Sequence, residues 1–255
     1  MPRFRTVIFD CDSTLSTVEG IEELATAHRA EVTTLTEAAM RGEVPLDAVY
    51  GRRLALVRPT REAVCALGRR YVETLVPDAH ETIAALVMSA IEVRVISGGL
   101  RPAVLTLTRA LGLPDDAVAA VDVHFDDKGQ YAGFDERSPL ARAGGKRATL
   151  EAWLPSLARP IMFVGDGATD LEARPLVECF VAFAGVIERP KVIAAADVVV
   201  AACSLAPIVP LAIGEDVPVD DGVRAICAKG LHLLGGRRPP NDLRLESATH
   251  ARRDR

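Results

Sequence analysis

The chain has 255 residues, 49% hydrophobic and 25% charged, so we expect one packed domain, or a core with an inserted module. The formal net charge of −5 argues against nucleic-acid binding, which uses a basic surface to displace phosphate counterions, so nucleic acid is not an expected partner. The five scattered cysteines, without a C-x-x-C pair, indicate neither a disulfide framework nor a zinc site.

The first ten residues are too short and too polar for a secretory leader. Pro207 and Pro210 interrupt the apolar stretch 198–214, which is shorter than a membrane helix and is expected to form a buried strand and a helix. These features predict a soluble, cytoplasmic protein with no membrane partner. They leave the oligomeric state open, with a homodimer as one arrangement.

The first predicted strand is residues 6–9, TVIF, which is apolar on both faces and ends at Asp10 and Asp12. From about residue 18 to 75, Ala, Leu, Glu and Arg recur at helical spacing, which predicts three or four helices. The breaks around them are expected at Gly42, Pro45, Pro59 and Gly68.

Helices and strands alternate after this block. Helices are predicted at about 79–90, 102–111 and 145–154, strands at 91–96, 160–164, 180–184 and 198–201, and a β-hairpin within 121–134. One more helix is expected within 216–234, and the Gly-, Pro- and Arg-rich residues 235–255 are expected to be disordered.

The predicted fold is therefore α/β, a Rossmann-like parallel sheet core with helices on both faces and a small helical cap inserted after the first strand. We assign residues 1–16 and 77–215 to the core, 17–76 to the cap and 216–255 to a largely disordered extension. Because ligands bind beyond the carboxyl ends of parallel strands, the cap is expected to cover that end.

Asp10 and Asp12 are two residues apart in extended chain, so their side chains point to the same side. Two converging carboxylates repel each other unless a cation neutralises them, and Mg²⁺ prefers such oxygen ligands. Taken alone, however, a D-x-D segment is more often a strand followed by a polar turn.

Three other loops are expected at the same edge. Residues 97–99, Ser-Gly-Gly, let backbone N–H groups approach an anion. In residues 144–146, Gly-Gly-Lys, a lysine opens a helix, where its charge opposes the helix dipole unless it reaches an anionic ligand. Residues 165–170, GDGATD, again end a buried strand with aspartates. Each loop alone has a structural reading, such as a helix N-cap at Asp170, but together they supply metal ligands, a phosphate cradle, a cation and a nucleophile.

The segments FDCDSTLS, SGG, GGK and GDGATD resemble, in this order, the haloacid dehalogenase superfamily of aspartate-nucleophile phosphatases. Within it, VEGIEELA, AMRGEVP, RRLAL, YAGFDE and GDGATDLEA are similar to the phosphoserine phosphatases. The resemblance extends from about residue 4 to 214 and does not include the tail.

The resemblance implies Mg²⁺-dependent hydrolysis of a small phosphomonoester, O-phospho-L-serine, to L-serine and phosphate through an aspartyl-phosphate, the last step of serine biosynthesis. Asp10 is then the nucleophile, and Asp12 the general acid and base. Mg²⁺ is expected on the Asp10 carboxylate, the Asp12 backbone carbonyl and Asp166, with Asp170 orienting these ligands from behind.

The resemblance also assigns the substrate contacts. The phosphate oxygens are expected to be held by Ser97, Gly98, Gly99 and Lys146, of which Ser97 and Lys146 are catalytic. Glu19 is expected to bind the ammonium of the serine moiety and Arg53 its carboxylate. Further contacts are expected from Met40, Thr169 and Arg189.

Leu46 and Leu100 stand where relatives commonly have phenylalanine, a departure that bears on selectivity more than on chemistry. Two alternatives to a phosphoserine phosphatase stay open. The first is a related enzyme that acts on another small phosphomonoester or passes the phosphate to an acceptor such as homoserine. The second is a non-enzymatic phospholigand-binding module, which the intact Asp10/Asp12 pair disfavours.

Overall fold

The structure, a computed structural model, describes residues 1–40, 43, 46–214 and 220–235, with the backbone alone for residues 27, 39, 40 and 46–48. Within these ranges there are eight strands and eleven α-helices. The strands are β1 (Thr6–Phe9), β2 (Glu92–Leu100), β3 (Val118–Val121), β4 (Val123–Phe125), β5 (Tyr131–Phe134), β6 (Ile161–Gly165), β7 (Cys179–Phe183) and β8 (Val198–Val200). The helices are α1 (Gly20–Leu24), α2 (Arg29–Met40), α3 (Leu46–Val57), α4 (Arg61–Glu73), α5 (Ala79–Met88), α6 (Arg101–Ala110), α7 (Gly145–Trp153), α8 (Ala168–Leu171), α9 (Pro190–Ala195), α10 (Ile208–Ile213) and α11 (Asp221–Leu233).

Six strands form a parallel sheet in the order β3-β2-β1-β6-β7-β8, flanked by helices, which confirms the predicted α/β fold. The fully buried strand β1 lies between β2 and β6, and Phe9 aligns with Val95 on one side and Val164 on the other. Because the three strands are parallel and in register, the residues that follow them emerge at one edge of the sheet. The predicted hairpin is formed by β4 and β5, apart from this sheet.

Helices α1–α4 lie between β1 and β2 in the chain, so the predicted helical insertion after the first strand is present. The break predicted at Gly68 is wrong, because this glycine lies inside α4 where the helix packs on α6. A Cβ at Gly68 would be 2.6 Å from Thr106 Oγ1, so the close approach of the two helices accounts for the glycine. The break at Pro59 is confirmed, whereas Gly42 and Pro45 lie outside the described residues. The core and cap boundaries stay a prediction.

The prediction of a loop at residues 97–99 is wrong, because β2 continues through these residues to Leu100. A register shift against β3 between Ile96 and Leu100 accommodates the two glycines, and Leu100 still pairs with Val121. Strand β3 itself was not predicted. Two of its four residues are alanines, which carry little strand propensity, and its pairing with β2 provides the stabilisation that the local sequence lacks.

The apolar stretch 198–214 forms β8 and α10, as predicted. The helix expected within 216–234 begins at Asp221, where the Asp220 carboxylate accepts hydrogen bonds from the backbone N–H groups of Gly222 and Val223. Residues 215–219 and 236–255, which include the tail predicted to be disordered, lie outside the described residues. In the described part of the chain, no helix is long and apolar enough to cross a membrane.

Replacing Gly68 with alanine should destabilise the protein, because the new Cβ would overlap Thr106. Overpacking of this kind costs about 1–3 kcal/mol, which urea unfolding measures directly. Gly51→Ala in α3 is the matched control, since its Cβ would lie 3.7 Å from Phe134, an ordinary contact, and alanine favours a helix over glycine by about 1 kcal/mol. Equal effects of the two substitutions would contradict the close packing of α4 on α6.

Candidate active site

A pocket opens at the carboxyl edge of β1 and β2, between this edge and the helices α1–α3. Its lining residues are Asp10, Asp12, Glu19, Ile21, Glu22, Thr36, Tyr50, Arg53, Ser97, Gly98, Leu140, Arg142, Lys146 and Thr169. Eight of these are among the predicted site residues. The structure therefore brings together, in one pocket, residues that are up to 159 positions apart in the chain.

Lys146 lies between two buried aspartates. Its Nζ is 2.7 Å from Asp10 Oδ1 and 2.5 Å from Asp170 Oδ1, and all three side chains are at least nine-tenths buried. Burial alone would lower the pKa of Lys146, but the two carboxylates raise it above its usual value, so the amine stays charged. The lysine at the start of α7 thus reaches inward to carboxylates, which is the position expected from its sequence context.

Carboxylate oxygens of Asp10, Asp166 and Asp170 lie within 4.8 Å of one another. Burial and the charge of Asp170 raise the pKa of Asp10 well above its usual value, and the same two causes raise that of Asp166 to about 7. A divalent cation between these oxygens would favour their ionised forms, and an all-oxygen donor set suits a hard cation. The donor set and the excess negative charge therefore fit a divalent metal.

Asp12 lies outside this cluster of three. Its Oδ1 accepts a hydrogen bond from the Tyr71 hydroxyl, and its Oδ2 accepts one from the backbone N–H of Gly20 at 3.2 Å. Burial and the neighbouring charge of Glu19 raise the pKa of Asp12 to about 7. A carboxyl group with a pKa near neutrality can both give and take a proton, as general acid–base chemistry requires.

The end of β2 forms one wall of the pocket. Ser97 and Gly98 line it, and the Gly98 carbonyl accepts a hydrogen bond of 2.8 Å from the Tyr50 hydroxyl. Gly99 does not line the pocket: its N–H donates to Ser97 Oγ at 2.9 Å, and a Cβ at this position would be 3.1 Å from Val104 Cγ2. Gly99 thus supports Ser97 from behind.

Glu19 and Arg189 link the pocket to the aspartate cluster. Arg189 donates from Nε to Asp166 Oδ2 at 2.9 Å and from Nη2 to Glu19 Oε1 at 3.4 Å. Glu19 Oε1 also accepts a hydrogen bond of 2.7 Å from Ser13, which has a left-handed backbone with φ of 54° directly after Asp12. The tight turn after β1 therefore fixes the position of Glu19 relative to Asp12.

Arg53 is a buried cation without a carboxylate partner among the described residues. It is 5% exposed, its Nη1 donates to Thr36 Oγ1 at 2.9 Å, and its guanidinium lies 5.4 Å from the Tyr50 ring centroid. Its Nε is buried and has no hydrogen-bond partner in the described part of the chain. A buried guanidinium that lacks an anion is costly, so this arrangement fits an anionic ligand group.

Met40, Leu46 and Leu100 were also singled out in the sequence. Met40 ends α2, but its side chain and that of Leu46 lie outside the described residues, whereas Leu100 is buried in the core and does not line the pocket. Sequence reasoning missed Tyr50 and Tyr71. Both are tyrosines on predicted helices, and nothing in the helical pattern distinguishes a tyrosine that faces a site from one that packs in the core.

The chain is similar to known proteins both in sequence and in structure. Residues 4–174 match the family model for haloacid dehalogenase-like hydrolases. The human (Homo sapiens) phosphoserine phosphatase is 39% identical over 189 residues, which cover 73% of this chain and 84% of that protein. A solved substrate-bound phosphoserine phosphatase complex has a TM-score of 0.70 at 26% identity, covering 82% of this chain and 98% of that one. A phospho-aspartyl intermediate analogue of phosphoserine phosphatase has a TM-score of 0.69 at 27% identity, with the same coverage.

The raised pKa values of Asp12 and Asp166, each about 7, predict a pH-dependent stability of the metal-free protein. In the unfolded chain these groups lose their protons near pH ~4. Between about pH 4 and 7 the folded state therefore binds more protons, and the free energy of unfolding falls as the pH rises. This loss of stability is absent below about pH 4 and complete above about pH 7. Urea unfolding in a chelator across the window measures it.

Asp166→Asn removes one of the two groups, so we expect its stability to fall less across the window than that of the unmodified protein. Asp127→Asn, in the exposed turn of the hairpin, is the control and should keep the full fall. A divalent cation should restore stability at the high end of the window, because it neutralises the ionised carboxylates. Identical pH profiles for Asp166→Asn and the unmodified protein would contradict the raised pKa of Asp166.

Proposed function

The chain belongs to the haloacid dehalogenase-like hydrolase family, and on this basis we propose that it is a Mg²⁺-dependent phosphoserine phosphatase, which hydrolyses O-phospho-L-serine to L-serine and phosphate. The observation that carries the proposal is the buried Arg53 guanidinium in the pocket that also holds Asp10, Asp12 and Lys146. A phosphatase for simple phosphomonoesters has no need of a second buried cation. Phosphoserine supplies the carboxylate that Arg53 lacks within the described part of the chain.

In the first step, a carboxylate oxygen of Asp10 attacks the phosphorus and forms an aspartyl-phosphate. The bond from phosphorus to the serine oxygen breaks, and Asp12 gives its proton to that oxygen, so that neutral L-serine hydroxyl leaves. Lys146, 2.7 Å from Asp10, offsets the repulsion between the attacking carboxylate and the phosphate. Ser97 and the Gly98 N–H are available to the transferring phosphate oxygens.

In the second step, Asp12, now ionised, takes a proton from water while the water oxygen attacks the phosphorus. The bond to Asp10 breaks, phosphate is released, and both aspartates return to their initial states. The two roles suit the surroundings of each residue. Asp10 lies in the aspartate cluster beside Lys146, whereas Asp12 lies outside this cluster and has a pKa near neutrality.

We assign the metal site to the Asp10 carboxylate, the Asp12 backbone carbonyl and Asp166, with Asp170 as the residue that orients them. When bound, Mg²⁺ would neutralise charge on the phosphate and on these carboxylates. Asp170 is well placed for the orienting role, because it accepts hydrogen bonds from Lys146 at 2.5 Å and from the Gly167 N–H at 2.8 Å.

For the serine moiety, we assign the ammonium to Glu19 and the carboxylate to Arg53. Both line the pocket, and Tyr50 and Thr36 hold the guanidinium in place. Thr169 lines the pocket as well, and Arg189 contacts Glu19. Met40 stays a predicted substrate contact. The cytoplasmic location, the homodimer and the position at the end of serine biosynthesis also stay predictions.

Phosphate release across a panel of phosphomonoesters tests the proposal, and we expect strong preference for O-phospho-L-serine over phosphoethanolamine and sugar phosphates. Phosphoethanolamine lacks the carboxylate that would pair with Arg53. Turnover should require a divalent cation and should be abolished by Asp10→Asn, which removes the nucleophile. Comparable rates with phosphoethanolamine, or full turnover by Asp10→Asn, would overturn the proposal. Phosphohomoserine among the products in the presence of homoserine would instead identify a phosphotransferase.

Arg53→Lys should weaken recognition of the serine carboxylate, because an ammonium cannot reproduce the planar, two-point contact of a guanidinium. A charged hydrogen bond is worth about 1.5–3 kcal/mol, so we expect kcat/KM for O-phospho-L-serine to fall about tenfold or more, mainly through KM. With p-nitrophenyl phosphate, which has no carboxylate, the same variant should lose less than about threefold. Steady-state kinetics with both substrates measures this difference.

Arg52→Lys is the matched control, since Arg52 is the exposed neighbour of Arg53 on the same helix. It should leave both substrates unaffected. If Arg53→Lys reduced turnover of both substrates equally, Arg53 would not bind the carboxylate of the substrate.

A further inference from the structure

We propose that Tyr71 is a positioning residue for the reaction, holding the Asp12 carboxyl in the orientation from which it exchanges protons with the leaving group and with water. This role rests on the proposed function. Tyr71 is not among the residues that line the pocket, and its contact with the site is through Asp12.

The contact between the two residues is direct, with Tyr71 buried and Asp12 half-buried. Tyr71 is fully buried, and its hydroxyl donates a hydrogen bond to Asp12 Oδ1, while the Gly20 N–H donates to Oδ2. Both oxygens of the carboxyl are therefore held, which fixes its plane. Each oxygen has a second lone pair, so neither hydrogen bond prevents the carboxyl from taking up or releasing a proton.

Two glycines leave space for the Tyr71 hydroxyl, and Gly20 is the more closely placed of the two. A Cβ at Gly20 would overlap the Tyr71 hydroxyl, and a Cβ at Gly99 would lie 3.4 Å from it. Two glycines from separate elements, α1 and the end of β2, thus border the hydroxyl. The absence of a side chain at Gly20 is required for Tyr71 to reach Asp12.

The helix that carries Tyr71 is attached to the sheet core. Helix α4 packs on α6, with Gly68 directly against Thr106 three residues before Tyr71. The hydroxyl is therefore fixed relative to β1 and Asp12 by the packing of α4 on α6 and on α1. A carboxyl that is held in this way pays no orientation cost when the substrate binds.

The experiment compares two leaving groups in single turnover with the full-length protein and Mg²⁺. Release of L-serine requires protonation of an alkoxide, whereas p-nitrophenolate leaves as a stable anion and needs no proton. For Tyr71→Phe we expect the rate of L-serine release to fall about tenfold or more, as misplaced catalytic groups do, with the substrate concentration at half-maximal rate changed less than about threefold. The rate of p-nitrophenol release should fall less than about threefold.

Two further variants make the result specific. Gly20→Ala keeps the Tyr71 hydroxyl in the protein but moves it away from Asp12, because the new Cβ would overlap it. This variant should show the same fall in the rate of L-serine release and little change in p-nitrophenol release. Tyr131→Phe removes a tyrosine hydroxyl in the hairpin, away from Asp12, and should leave both rates unchanged. Thermal unfolding checks that each variant is folded.

An equal fall for both leaving groups with Tyr71→Phe, or no fall for L-serine, would overturn the positioning role. The result can be separated from the proposed function. If the unmodified protein does not hydrolyse O-phospho-L-serine, the proposed function fails. If it does, and Tyr71→Phe shows no dependence on the leaving group, the positioning role alone fails.

Discussion

The ion pairs of Lys146 with Asp10 and Asp170 are the interaction on which the rest of the site depends. Parallel pairing of β1 with β6 brings the segments after the two strands to one edge, and their carboxylates would repel each other there. Lys146 enters from α7 and contacts one carboxylate from each segment. Removing one partner from a buried ion pair costs about 3–5 kcal/mol, so this lysine stabilises the fold as well as the chemistry.

Negative charge still exceeds positive charge around the pocket. The charged residues predicted for the site are the acids Asp10, Asp12, Glu19, Asp166 and Asp170 and the bases Arg53, Lys146 and Arg189. The raised pKa values of Asp10, Asp12 and Asp166 reflect this excess together with burial. This excess of negative charge lies on the core side, where a divalent cation fits, whereas Arg53 lies on the helical side without an ion-pair partner among the described residues. A metal ion would therefore bind on the core side of the pocket, and an anionic group of the substrate on the helical side.

The sequence predicted the features that depend on short-range pattern. Buried strands that end in aspartates can be recognised in the sequence, and a parallel sheet gathers strand ends at one edge, so Asp10 and Asp166 could be assigned to one place. Ser97 and Lys146 were assigned to the same edge, although Ser97 lies within β2 and Lys146 lies at the start of α7, after a hairpin outside the parallel sheet. The gathering of Glu19 and Arg53 was expected from family resemblance alone. Arg53 on α3 has the pattern of a surface charge, and Glu19 is the residue before α1, so only the position of α1 and α3 over the sheet makes them pocket residues.

What could not be predicted depends on contacts between distant helices. Gly68 was predicted to break a helix, because glycine is a poor helix former and Thr106 is 38 positions away. The same packing explains why Tyr71 went unnoticed. One turn after Gly68, it fits the helical pattern as an ordinary core residue, and only the seating of α4 on α6 directs its hydroxyl to Asp12. A residue that acts through another carries no motif of its own, since its role depends on the position of its helix and not on its neighbours in sequence.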